Sequence, residues 1–84
     1  MILSLYQKAV EYFKQAIAIN DYTDAYLYLG MIYKNKLDFE QALFYLRERI
    51  KRKSGDDDIY AREAMLGVRI ILDKLARAEE DTIK

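Results

Sequence analysis

Phe39-Glu40-Gln41-Ala42-Leu43-Phe44-Tyr45-Leu46, followed by Ile50, repeats the character of a stretch 33 residues earlier, Tyr6-Gln7-Lys8-Ala9-Val10-Glu11-Tyr12-Phe13, followed by Ile17. Aromatic, alanine, aliphatic, tyrosine, large apolar residue and isoleucine return in the same order. Recurrence at this period marks a chain of stacked helical units, each burying its apolar face only against its neighbours. Function is then expected on the surface of the stack. A second lattice interleaves with the first, because Tyr26, Gly30 and Met31 return as Tyr60, Ala64 and Met65 after 34 residues. Two types of helix alternate.

On these residues the chain resembles the tetratricopeptide repeat (TPR) family. In that family an aromatic, a Leu-Gly pair and a tyrosine mark the first helix of a hairpin, and an alanine with a spaced large residue marks the second. Tyr26, Leu29, Gly30, Tyr33, Ala42 and Leu46 stand at those places in one complete repeat. Small residues let two backbones approach, so Gly30 is expected opposite Ala42. The resemblance runs from residue 1 to about 56, and its opening segment looks like the second helix of a repeat without its first. Further on, Tyr60 and Ala64 keep the pattern, but Glu63 replaces the leucine and Gly67 the tyrosine. Arg49 stands where the family has a small residue. The resemblance implies one all-α domain over residues 1–84, a TPR-like stack of about four antiparallel helices.

The periodicity places those helices at about 2–19, 23–36, 39–53 and 57–81. The first carries Leu3, Tyr6, Ala9, Val10, Phe13, Ala16 and Ile17 at steps of three and four. Asp21 or Thr23 is expected to cap the second and Asp38 the third, with Gln41 three residues on. Gly55 is expected to close the third helix in the left-handed conformation. Asp56, Asp57 and Asp58 suit the positive N-terminus of the fourth.

Composition sets the bounds. At 84 residues, 52% apolar and 33% charged, the chain is one small ordered domain. It has no proline and 3 glycines, little punctuation for a β-rich fold. Lysine plus arginine balance aspartate plus glutamate at 14 each, so no net field draws nucleic acid or membrane. Without cysteine there are no disulfides or thiolate metal sites. The start, Met1-Ile2-Leu3-Ser4-Leu5-Tyr6, is too short an apolar run for a signal peptide, and nothing approaches a membrane span. The expectation is a cytoplasmic protein.

Two helices carry more apolar surface than one packing face needs. In the first, Ile2, Leu5, Tyr12 and Ile19 add to the main stripe. In the fourth, Ile59, Leu66 and Ile70 lie off the stripe of Tyr60, Ala64, Val68, Ile71, Leu75 and Ala78. Two readings are open: the long fourth helix or loose packing covers the excess, or a second copy does, making a homodimer by symmetric pairing or helix exchange. Ile2, Leu5, Tyr12, Ile59, Leu66 and Ile70 form the candidate self-association set.

TPR arrays bind peptides or partner helices on a concave surface lined by the first helix of each pair. By that resemblance the lining would be Asp24, Leu27, Tyr28, Met31, Lys34 and Asn35, joined by Ala61, Arg62, Met65 and Arg69. Methionine and tyrosine suit adaptable contact with an amphipathic segment. Against this, Met31 and Met65 have the alternative of packing together as core. Some family members hold the carboxylate tail of heat-shock chaperones with lysines, asparagines and an arginine. Here only Arg62 matches, while Tyr28 and Met31 take two of the asparagine places, so that ligand is not expected.

The basic run Arg47, Arg49, Lys51, Arg52 and Lys53 reads as a solvated helix end rather than a nucleic-acid site, because the aspartates at 56–58 lie next to it. Those aspartates are consecutive, whereas calcium loops alternate their ligands, so no metal is expected. With no histidine and no cysteine, and only Ser4 and Ser54 as serines, catalysis has nothing to recruit. No enzyme activity and no cofactor are expected. The expected function is a protein-protein interaction or assembly module, binding a partner helix, a peptide or its own copy. The alternative is a purely structural or engineered self-associating scaffold.

Overall fold

Apolar residues at helical spacing, interrupted by Asp21-Tyr22, Lys36-Leu37-Asp38 and the polar stretch 52–58, give four helices: α1 (Ile2–Asn20), α2 (Thr23–Asn35), α3 (Phe39–Lys51) and α4 (Ile59–Ile83). The computed structural model describes the backbone of residues 2–83 and the side chains of residues 5–80, and it has no strand among them. α1 packs against α2, α2 against α3, α3 against α4, and α2 also touches α4. Asp24, at the start of α2, meets Arg49, near the end of α3, so these two helices run antiparallel. The order is a row of chain neighbours folded back and forth.

The connections explain themselves residue by residue. α1 ends on Asp21 in the left-handed conformation (φ 52°), whose amide donates to the Ile17 carbonyl at 2.8 Å. Asp21 therefore finishes α1 and does not cap α2, and the N-cap of α2 is Tyr22, without a side-chain bond. Thr23 is the first residue of that helix. α2 ends on Leu37, also left-handed (φ 64°). The Leu37 amide donates to Lys34 O at 3.0 Å and the Asp38 amide to Tyr33 O at 2.9 Å, a Schellman pair. Asp38 caps α3 by accepting from the Gln41 amide at 3.3 Å. α3 stops at Lys51 with Arg52 at its cap. Gly55, expected to close it, has no positive φ and lies in the turn beyond. Asp58 caps α4, accepting from the Ala61 amide at 3.0 Å.

A leucine is a poor occupant of a left-handed position, because its Cβ crowds the backbone there. Leu37 is also exposed, so it contributes little burial in exchange. Leu37→Gly is expected to stabilise the fold by about 1 kcal/mol, which for a domain of this size raises the thermal midpoint by roughly 4–8 °C. Calorimetry checks it; an unchanged or lower midpoint would mean that Leu37 makes packing contacts that outweigh the strain.

The core is a seam between α2, α3 and α4 made by Leu27, Ala42, Leu46, Ala64 and Ile71, with Met31, Tyr33, Phe39, Leu43, Ile50 and Val68 packed around it. Leu46 is its centre. A Cβ built on Gly30 would fall 2.4 Å from Leu46 Cδ2, and one on Gly67 would fall 3.0 Å from Leu46 Cδ1. The small residue of α2 thus receives a large side chain from α3, where Ala42 was expected to face it. Gly67, out of pattern at a tyrosine position, is small because the same leucine needs that space. Tyr33 of α2 stacks on Tyr45 of α3, with centroids 5.7 Å apart and planes 4° from parallel.

α4 does not repeat the setting of α2. In α2 the line Ala25, Leu29 and Ile32 is buried or half-buried; the residues 34 positions on, Ile59, Glu63 and Leu66, are exposed. α2 is enclosed by α1, α3 and α4, whereas α4 is covered on one side only, through Ala61, Ala64, Gly67 and Ile71. From Leu72 to Glu80 every residue of α4 is exposed. No helix among the described residues is long and apolar enough to cross a membrane.

Candidate interaction surfaces

The outer face of α4 carries an apolar concavity. Ile59 and Leu66, seven residues apart, make one row, and Met65 and Leu72, also seven apart, make a second. Seven residues are close to two helical turns, so each row stays on one side of the helix. Ile59 is 66% and Leu66 49% exposed. Together with Arg62, Glu63, Val68 and Arg69 these side chains line a groove of about 680 Å³. A second groove of about 430 Å³, lined by Arg69, Ile70, Asp73, Lys74 and Arg77, continues it toward the C-terminus.

The candidate binding residues divide between the two helices that carry them. Arg62, Met65 and Arg69 lie on this α4 face together with Ile59, Leu66 and Ile70 from the self-association set, so two sets distinguished in the sequence form one surface. The α2 residues lie elsewhere. Leu27, expected to line the groove, is buried in the core, and so is Ala61; α4 packs over that side of α2 and closes it. Met31 is half-buried against the core, while Met65 faces the α4 groove. Tyr28 is half-buried, with its ring 5.0 Å from Phe13 and 6.2 Å from Tyr60. A hydrogen bond shared with Tyr60, reinforced by burial, pushes its hydroxyl pKa up to about 12. Lys34 is half-buried and Asn35 exposed at the end of α2. Leu72 was not singled out in the sequence; its signal is the seven-residue step from Met65.

α1 offers a smaller surface. Leu5, Tyr12 and Ile19 are exposed at 66%, 66% and 81%, in a row at seven-residue steps. Tyr12, Gln15, Ala16, Ile19, Asn20 and Tyr22 line a groove of about 300 Å³. The side chain of Ile2, assigned to the same set, lies outside the described residues.

The basic run is a solvated end only at Arg47, Lys51 and Lys53, which are exposed; Arg49 and Arg52 are not. Arg49 is buried, and its Nη2 donates to both carboxylate oxygens of Asp58, at 2.8 and 3.0 Å, and lies 3.5 Å from Asp24. Arg52 lies over the Tyr26 ring, 4.0 Å from its centroid, and donates to Asp21 at 3.0 Å and Glu48 at 3.0 Å. The Tyr26 hydroxyl also donates to Asp21. Hydrogen bonds from Arg52 and then Tyr26 hold the Asp21 carboxyl below the usual range. Lys51 pairs with Glu48 at 2.9 Å and Lys53 with Asp56 at 3.6 Å. Among the described residues Arg47 alone of the five makes no ion pair. Two of the cations are cross-links between helices, and the run is neutralised where it stands.

No family model, curated protein or solved structure matches the chain.

Proposed function

We propose that the chain is a TPR-like interaction or assembly module without catalytic activity, which docks a partner helix, a peptide or a second copy by burying its exposed apolar helix faces. The observation that carries this reading is the outer face of α4, where two apolar rows lie in the open on either side of Arg62 and Arg69. Contiguous apolar surface beyond a few hundred Å² is uncommon on a monomer and marks interaction sites. Burial of such rows supplies affinity, and the flanking charges steer approach and register. The repeat spacing and the hairpin of α2 with α3 support the TPR-like stack. Leu46 between two glycines supplies the close approach that such a stack needs.

If these faces serve partners and not the interior, polar residues there leave the single chain intact. Ile19→Lys and Leu66→Lys are each expected to change unfolding stability by no more than about 0.5 kcal/mol, measured by urea titration at a dilution where light scattering gives the mass of one chain. A loss of 2 kcal/mol or more, on the order of a core substitution, would show that the faces pack internally and would sink the reading.

A further inference from the structure

We propose that the outer face of α4 seats α4 of a second copy, the two helices lying antiparallel about a two-fold axis level with residue 71. The proposal rests on the interaction-module reading and names its partner. Its basis is how charge is sorted along the face. Arg62 and Arg69, seven residues apart, stand in the N-terminal half; Asp73 and Glu80, also seven apart, stand in the C-terminal half. All four are exposed and fall on one side of the helix, between the apolar rows. Glu63 in the first half, and Lys74 and Arg77 in the second, lie to one side of this line; the line of four itself is basic at one end and acidic at the other, and it complements itself only when turned end for end.

One register meets both demands. The pairing that sets Arg69 against Asp73 of the second copy also sets Arg62 against Glu80, since each pair is centred on residue 71. The two-fold axis repeats both pairs. The two-fold also lays each apolar row beside the same row of the second copy, with the two Ile70 side chains about 3 Å apart along the axis, so apolar surface meets apolar surface as well. A parallel arrangement would stack arginine on arginine and carboxylate on carboxylate, which disfavours it. Existing contacts leave room: Asp73 holds Arg77 at 3.2 Å through Oδ2, and Arg62 uses one Nη2 bond, at 2.9 Å, to the Asp56 carbonyl.

The arrangement also accounts for the length of α4. Its own fold buries it only as far as Ile71, and residues 72–80 continue into solvent. A helical segment without tertiary packing is marginal in water. In the antiparallel pair the exposed half of each helix lies along the covered half of the other, and the two folded bodies sit at opposite ends. The row on α1, with Lys8, Glu11 and Gln15 beside it, shows no such sorting.

Light scattering on the full chain across a hundredfold dilution tests this, with two variants. Arg62→Glu with Arg69→Glu makes the central line of four wholly acidic; Asp73→Arg with Glu80→Arg makes it wholly basic. The wild type is expected at twice the 10.0 kDa chain mass. Each variant alone, with its helicity confirmed by circular dichroism, is expected at the mass of one chain, and an equimolar mixture of the two is expected to return to twice that mass. A wild type that stays monomeric throughout overturns the proposal while leaving an unrelated partner for the same surface. A wild-type dimer that both variants preserve overturns the α4 pairing and moves self-association to another face. Monomeric, helical variants that do not combine on mixing overturn the register.

Discussion

Leu46→Ala is expected to lower the unfolding free energy by about 2–5 kcal/mol, a large share of the roughly 5–15 kcal/mol that holds a small domain together. Leu46 is fully buried and reaches both Gly30 of α2 and Gly67 of α4, so its loss opens space in three helices at once. The sharper result concerns Gly30→Ala. In the wild-type background the new methyl would lie 2.4 Å from Leu46 Cδ2 and 2.6 Å from Cγ, with the Leu46 amide nitrogen 3.3 Å away, and Leu46 is fully buried. Overpacking of this kind costs about 1–3 kcal/mol, against roughly 1 kcal/mol gained from helix propensity. With Leu46 already alanine the clash is gone, and Gly30→Ala is expected to become neutral or stabilising. A double-mutant cycle by urea denaturation measures the difference. Equal effects of Gly30→Ala in both backgrounds would remove Leu46 as the reason for the glycine.

The second large effect lies at the joint of α3 and α4. Asp58 accepts from the Ser54 amide at 3.0 Å, the Ala61 amide at 3.0 Å and the Arg49 guanidinium, so one carboxylate closes the turn, caps a helix and neutralises a buried cation. Asp58→Ala leaves Arg49 with only its 3.5 Å approach to Asp24. Stranding a buried charge such as that of Arg49 costs about 3–5 kcal/mol. The Nε and Nη1 of Arg49 already lack a partner among the described residues, so the site has little to fall back on. Arg49→Met with Asp58→Asn is expected to lie close to the wild type, since asparagine caps a helix as well as aspartate does and the apolar chain fills the space. Thermal midpoints of the three proteins decide it: a double variant as unstable as Asp58→Ala would mean that the cation itself is required.

The same joint sets the response to acid. The amides of Ser54 and Ala61, with Arg49, hold the Asp58 carboxyl well below its ordinary value, and Arg52 with Tyr26 does the same to Asp21. Carboxyls depressed in the folded state contribute stability above their unfolded pKa, near 4, and that contribution drains away as pH falls toward their folded values. The wild-type midpoint is therefore expected to fall below about pH 4, and more steeply than that of the variant carrying Asp58→Asn.

The four helices are legible because apolar residues at three-and-four spacing, Asp38 before α3 and the aspartates before α4 are local signals. What escapes is rotation about a helix axis. Spacing separates the inward stripe of α4, where Ala64, Val68 and Ile71 are buried or half-buried, from the open Ile59 and Leu66, but it does not fix the exact rotation: Tyr60 and Leu75 of the stripe are exposed, and Leu27 and Ala61, placed on an open groove by resemblance, are buried. Arg49 escapes for another reason. A cation among cations reads as surface until the fold brings Asp58 and Asp24 to it, and only the acidic run nearby hints at the pair. The apolar line of Ile59, Leu66 and Ile70 is visible beforehand because helical spacing needs no tertiary information.

The row of neighbours has a consequence for how the molecule comes apart. Among the described residues α1 packs mainly on α2, and the last turns of α4 extend past the core, whereas the α2 and α3 hairpin is held from both sides. Resistance to opening is thus graded along the chain. Amide exchange should be fastest at its two ends and slowest around Leu46, and unfolding should start as fraying rather than as a single break. The α1 face lies on one fraying end, and the α4 face runs from the packed half of that helix into the other. Whatever binds there is expected to tighten the part of the molecule that is loosest without it.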